Sequence, residues 1–130
     1  MESGSSFLKS DPFAQELGIV LESSEPGHVV LSLEIRKQHL NAHNTVHGGV
    51  IYTLADEAFA VACNTEGVPS VAINTSITYI KAAKEGKLIA MAREFSKNSK
   101  LGSYVIEVID QDDEKIAIFQ GLAYKKRVHK

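Results

Sequence analysis

The chain has 130 residues, 44% of them hydrophobic and 23% charged, which is enough apolar material for one core and too little length for two. A net charge of -2 and an isoelectric point near 6.2 argue against a general nucleic-acid binder, which needs a basic face. The lone cysteine, Cys63, excludes an intramolecular disulfide framework. No apolar run is long enough to span a bilayer or act as a secretory leader, so a cytoplasmic protein without a membrane partner is expected.

The first ten residues are polar and Ser/Gly-rich and are expected to be disordered, leaving 11–130 as a single domain. Asp11-Pro12 followed by Phe13, Ala14 and Leu17 predicts a short helix, with Asp11 as its N-cap, Pro12 at the first position and Gly18 ending it. Ile19 to Glu22 is a strand candidate, and Glu25-Pro26-Gly27 turns the chain into a clearer one from His28 to Arg36. Lys37 to Val46 breaks periodicity and reads as a loop. His39, His43 and His47 in it stand four apart, a spacing that would gather three imidazoles only on a helix, so no metal is expected.

From His47 the pattern becomes helical. Val50, Ile51, Leu54, Ala55, Ala58, Val61 and Ala62 recur on one side, and Tyr52, Thr53, Asp56 and Glu57 form a narrow polar stripe. Four alanines at 55, 58, 60 and 62 give a thin helix that a sheet can wrap closely. Gly48-Gly49 opens it, although an interior glycine costs a helix roughly 1 kcal/mol against alanine. Free backbone N–H groups, a positive dipole end and no side chain in the way suit such a start to a developing oxyanion. Residues 64–69 are a turn, with Gly67 placed to cap the helix. Four strands follow, Ser70 to Ile80, Leu88 to Phe95, Tyr104 to Ile109 and Ile116 to Tyr124, antiparallel because their last connections are too short for crossovers. The tail Lys125-Lys126-Arg127 reads as a solvated strand end.

The order is α+β, with one helix against a curled sheet. Asn41, five intervening residues, His47-Gly48-Gly49 and then Leu54-Ala55-Asp56-Glu57-Ala58-Phe59-Ala60 resemble the hotdog-fold acyl-CoA thioesterases of the phenylacetate-degradation (PaaI-type) branch. The resemblance runs from about Phe13 to Tyr124. It implies one long central helix wrapped by a curled antiparallel sheet of five or six strands, with a short N-terminal helix. It also implies a homodimer as the smallest active unit and a homotetramer as the assembly. The expected activity is hydrolysis of an acyl-CoA thioester, phenylacetyl-CoA among the candidates, with no cofactor beyond the coenzyme A of the substrate.

Carried over residue by residue, the resemblance gives the Gly48 N–H the thioester carbonyl to polarise, with help from Asn41. Asp56 activates water or attacks directly, and His47 orients the glycine turn or the leaving thiolate. Gly49, Ala72, Asn74, Lys81, Lys97 and Lys100 are the expected substrate-binding positions. Ala72 stands where the family commonly has Ser or Thr to hold the water, and Asn74, expected on the same strand face, is the substitute. Lys81 and Lys84 at a strand end, with Lys97 and Lys100 flanking a hairpin, would receive the coenzyme A phosphates. The residues alone also allow plainer readings: a solvated Asp56–Glu57 stripe, glycines that permit close packing, an Asx turn at Asn41, solubilising lysines and a small buried Cys63. A hotdog hydratase or dehydratase and a non-catalytic acyl-CoA binding module are the alternative functions. Asp56 suits the binding module poorly, because a carboxylate disfavours plain binding of an anion.

Overall fold

The computed structural model describes residues 4–65 and 68–126, for Ser5 the backbone alone. Met1 to Ser3, the expected cap Gly67 and Arg127 of the basic tail lie outside them. Two short helices come first, α1 (Gly4–Lys9) and α2 (Pro12–Leu17). The caps of α2 are those its sequence specifies: Asp11 Oδ1 accepts the Ala14 N–H at 3.1 Å, and Gly18 closes the helix in the left-handed region at φ 81°. Helix α1 occupies the stretch expected to be frayed. Six residues are too few to be helical alone, but Leu8 is buried and its carbonyl accepts a bond from the Gln15 side chain, so packing supplies what local propensity does not.

Strands β1 (Ile19–Glu25) and β2 (His28–Glu34) form a hairpin through Gly27, and a single 3-10 turn at Lys37–His39 leads into the loop before α3 (Gly48–Asn64). Strands β3 (Ser70–Tyr79), β4 (Lys87–Lys97), β5 (Leu101–Asp110) and β6 (Lys115–Lys125) complete one six-stranded sheet of order β1-β2-β4-β5-β6-β3. Every neighbouring pair is antiparallel. Val29, Ala92, Ile106, Phe119 and Ile77 lie opposite one another across five strands, a row of side chains facing α3. This is the wrapped-helix, hotdog arrangement.

The small residues decide how closely the layers meet. Ala90 and Ala92 on β4 and Ala55, Ala58 and Ala62 on α3 are fully buried, so helix and sheet approach without gaps. Gly121 on β6 is where Phe59 needs room, since a Cβ there would stand 2.8 Å from the ring. Phe59 stacks tilted against Tyr104 and Phe119, and burying a ring of this size contributes ~1.5–3 kcal/mol. Among the described residues no helix is long and apolar enough to cross a membrane.

The sheet leaves β3 with a free edge. Ile73 is 54% exposed there, and Val71 is exposed beside it. A β-bulge interrupts the strand, so that Ala72 lies opposite Ala123 and Asn74 opposite Leu122, with Ile73 unpaired between them. The extra residue puts Ala72 and Asn74 on opposite faces, which corrects the expectation that they share one.

Candidate active site

The loop before α3 is built to present the glycine pair. The backbone N–H of Val46 bonds the carbonyl of Ala83, and that of His47 bonds the carbonyl of His39, both at 2.8 Å. His39 is itself buried, its Nδ1 accepting from the Arg36 N–H at 2.9 Å and its Nε2 lying 3.0 Å from the Leu17 carbonyl. Burial pulls its pKa down. His43 is exposed and His47 caps the helix, so the three histidines spaced in sequence do not converge. Among the described residues no cluster of metal-ligating side chains forms.

His47 has a specific task at the helix start. Its Nδ1 accepts the Gly49 N–H at 2.9 Å, while its carbonyl receives Val50 and Ile51. With Nδ1 an acceptor, the neutral ring carries its proton on Nε2. The Gly48 N–H is thereby left as the first helical donor without an acceptor among the described residues. It opens beside a cleft of about 320 Å³ lined by Thr45, Val46, Gly48, Ile51, Tyr79 and Lys81 among others. The hydroxyl of Tyr79 donates to the Gly48 carbonyl at 3.1 Å, and a Cβ on Gly48 would come within 3.4 Å of that ring. The strand alternation places Tyr79 on the helix side, but nothing local marks it as the wall of this cleft.

Asn41 organises the loop. Its Oδ1 accepts from the N–H groups of His43 and Thr45, and its Nδ2 donates to Thr45 Oγ1 at 3.1 Å, leaving one amide hydrogen without a described acceptor. Asp56 lies two turns along α3 and half-buried, one turn beyond Tyr52, whose hydroxyl is hydrogen-bonded with that of Thr75 on β3. Loss of water, then the nearby Asp11, raises the Asp56 pKa. Glu57, expected with Asp56 in one narrow polar stripe, is buried, and α1 and α2 pack on the helix. Cys63 is buried and its thiol is pushed up to about 12 by burial, which leaves it inert as a nucleophile.

The remaining expected positions separate along the helix. Lys81 borders the Gly48 cleft and pairs with Glu114 at 2.9 Å. Lys97 lines a second cleft with Cys63, Ser70 and Lys125, at the other end of α3, and Lys100 lies in the same β4–β5 hairpin. Sixteen residues of helix, about 24 Å, separate Gly48 from Asn64 at that end, so the two clefts lie at opposite ends of α3. Ala72 lies on the helix side of β3 and Gly49 is exposed beside His47, while Asn74 turns to the outer face, in a groove with Phe95, Ser103 and Gln120.

Residues 43–117 match the thioesterase superfamily. The acyl-coenzyme A thioesterase PaaI of Escherichia coli is 32% identical over 95% of this chain and 89% of its own length. An Archaeoglobus fulgidus protein described as an esterase is 40% identical over 90% of this chain and 77% of its own. Human acyl-coenzyme A thioesterase 13 is 36% identical over 71% and 68%. The E. coli PaaI structure, from the phenylacetic acid degradation operon, superposes with a TM-score of 0.90 over 94% of this chain and 89% of that one.

Proposed function

The chain belongs to the thioesterase superfamily, and on that premise we propose that it hydrolyses acyl-CoA thioesters in the cytoplasm at a site built between two copies of itself. The observation that carries the reading is the Gly48 N–H, unpartnered at the positive end of α3 above a cleft, while the next N–H is consumed by His47. A thioester carbonyl oxygen accepting that N–H gains charge stabilisation as it becomes an oxyanion. The spare amide hydrogen of Asn41 adds a second donor. Asp56, made more basic by its partial desolvation, takes a proton from water as the water attacks the carbonyl carbon, or attacks that carbon itself. The tetrahedral intermediate then expels the coenzyme A thiolate, which accepts a hydrogen bond from the Nε2–H of His47 and takes up the proton held by Asp56; after direct attack, water cleaves the Asp56–acyl anhydride to the free acid and restores the carboxylate.

Helix geometry supplies the two-chain argument. Gly48 and Asp56 are eight residues apart, about 12 Å along the axis, too far for one carbonyl carbon. Asp56 therefore acts on a substrate held by Gly48 of a partner chain. The open seam of α3 and the free, partly apolar edge of β3 support two-fold pairing there. Pairing of such dimers into a tetramer would use the outer face, where Phe95 is 70% exposed. Lys81, Lys97 and Lys100 are assigned to the coenzyme A phosphates. The Tyr79 wall and the PaaI relatives favour an aryl-acyl group such as phenylacetyl.

A panel of aromatic and aliphatic acyl-CoA esters, read by thiol release, tests the activity. At least one ester should be hydrolysed, and Asp56→Asn should slow that hydrolysis by ~10²–10⁴-fold. Thiol release no faster than from the Asp56→Asn variant with every ester would refute the proposal.

A further inference from the structure

Hydrogen bonds tie β3 to one ridge of α3 at three levels, and Asp56 lies on that ridge between two of them. The Tyr79 hydroxyl donates to the Gly48 carbonyl at 3.1 Å, the Tyr52 and Thr75 hydroxyls bond each other, and the Ser70 N–H donates to Asn64 Oδ1 at 2.9 Å. Gly48, Tyr52, Asp56 and Asn64 are spaced by multiples of four, the period of a helix ridge, so the strand runs beside that ridge from one end of the helix to the other. Asp56 stands between the Tyr52 and Asn64 ties, about 6 Å along the axis from Tyr52.

In that interval the strand turns Thr75 and Ala72 toward the helix, because Ile73 is the bulged residue and Asn74 points to the outer face. Ala72 offers only a methyl group. Thr75 offers a hydroxyl, half-buried and paired with that of Tyr52, whose ring is fixed edge-on against the buried Phe119 with centroids 5.3 Å apart. The neighbouring hydroxyls are drawn elsewhere: Thr53 Oγ1 donates back to the Gly49 carbonyl at 2.7 Å, and Ser70 Oγ donates to the Val68 carbonyl at 3.1 Å.

A water that attacks a carbonyl carbon needs more than a base. It gives one hydrogen to the carboxylate as its oxygen bonds to carbon, and unless the other hydrogen is also held, its lone pair has no fixed direction. The mutual bond of two hydroxyls uses one of their hydrogens and leaves each oxygen a lone pair with which to accept another. We propose that the Tyr52–Thr75 hydroxyl pair holds the attacking water beside Asp56 by accepting its second hydrogen, a task for which Ala72 has no polar atom and Asn74 faces the wrong way. The water oxygen bonds to the acyl carbon, the carbonyl π pair moves onto the oxygen held by Gly48 of the partner chain, one proton passes to Asp56, and the other stays on the new hydroxyl. After direct attack by Asp56, the same pair holds the water that cleaves the anhydride into the free acid and the Asp56 carboxyl. This role rests on the reading of Asp56 as base or nucleophile, and its test separates the two.

Steady-state kcat and KM for the best acyl-CoA ester are measured for the parent, Thr75→Val, Thr75→Ser and Tyr52→Phe, and Thr75→Val is measured again in the Asp56→Asn background. Valine removes the hydroxyl with little change of shape, and serine keeps it. Thr75→Val and Tyr52→Phe should each lower kcat by ~10-fold, the worth of one oriented hydrogen bond, with KM unchanged, and Thr75→Ser should run near the parent rate. In Asp56→Asn, where the water has no base to serve, Thr75→Val should cost little further, a dependence that marks groups acting in one step. Parent kcat in Thr75→Val or in Tyr52→Phe, beside an inactive Asp56→Asn, overturns the proposal and leaves the reading of Asp56 standing. A loss as large in the Asp56→Asn background as in the parent also overturns it, since a brace between α3 and β3 acts whether or not Asp56 does. An Asp56→Asn variant as active as the parent removes the base, and the water anchor with it.

Discussion

Replacing Glu57 by glutamine should make the protein more stable in alkaline solution than the parent. The buried acid titrates near 8 instead of 4.5, so the folded state holds a proton that the unfolded chain releases. A raised carboxyl pKa contributes stability that is complete below 4.5 and lost as pH rises through about 8. At 1.36 kcal/mol per unit, the ceiling on that loss is ~5 kcal/mol. Water drawn toward the ionised group recovers part of it, so ~2–5 kcal/mol is the expected range. Glutamine keeps nearly the same shape and does not titrate. Urea unfolding of parent and Glu57→Gln from pH 5 to pH 9, at one protein concentration, gives a difference in which most other titrations cancel. That difference should swing toward the variant between about pH 5 and 8, by up to ~1.4 kcal/mol per unit. Parallel curves across this window would refute a protonated, buried Glu57.

Gly121→Ala should cost ~1–3 kcal/mol, read by chemical unfolding, because its Cβ would stand 2.8 Å from the Phe59 ring in a filled core. His47→Ala should lose ~1 kcal/mol of capping and lower kcat as well, since the glycine turn loses its Nδ1 acceptor and the leaving thiolate its donor; unfolding and steady-state rates measured together check both. Gly48→Val should leave the melting temperature nearly unchanged and reduce turnover by ~10²-fold or more, because its branches crowd the space between Tyr79 and the carbonyl site. Equal losses of stability and turnover would assign the glycine to packing alone.

Local chemistry made some elements legible. The Asp11 cap, the Gly18 terminator and the alternation of β2 and β6 each depend on residues within one turn or one strand, and each is found. The helix was readable from its apolar period, though it continues to Asn64. What depends on distant partners was not. Nothing in the Ser70 to Tyr79 sequence marks the bulge that sends Asn74 to the outer face; register with β6 does. The helical period put Glu57 in one polar stripe with Asp56, a carboxylate being rarely buried, and its burial came only with the packing of the folded chain. Helix α1 itself was missed because Phe7 and Leu8 are a lone apolar pair in a polar segment. Around the candidate site, the placing of Gly48 at the start of α3 and of Asp56 two turns along it was readable from the apolar period, whereas the Tyr79 wall and the separation of Lys81 from Lys97 are consequences of topology.

Subunit complementation tests the central claim most directly. Asp56→Asn and Gly48→Val, each inactive alone, are mixed after partial unfolding and allowed to reassemble. In a mixed dimer one site pairs the intact Gly48 of one chain with the intact Asp56 of the other, and the second site collects both lesions. Acyl-CoA hydrolysis should return to about half the parent rate per mixed dimer. No recovery, with mixed dimers demonstrated by mass spectrometry, would contradict a site shared between chains.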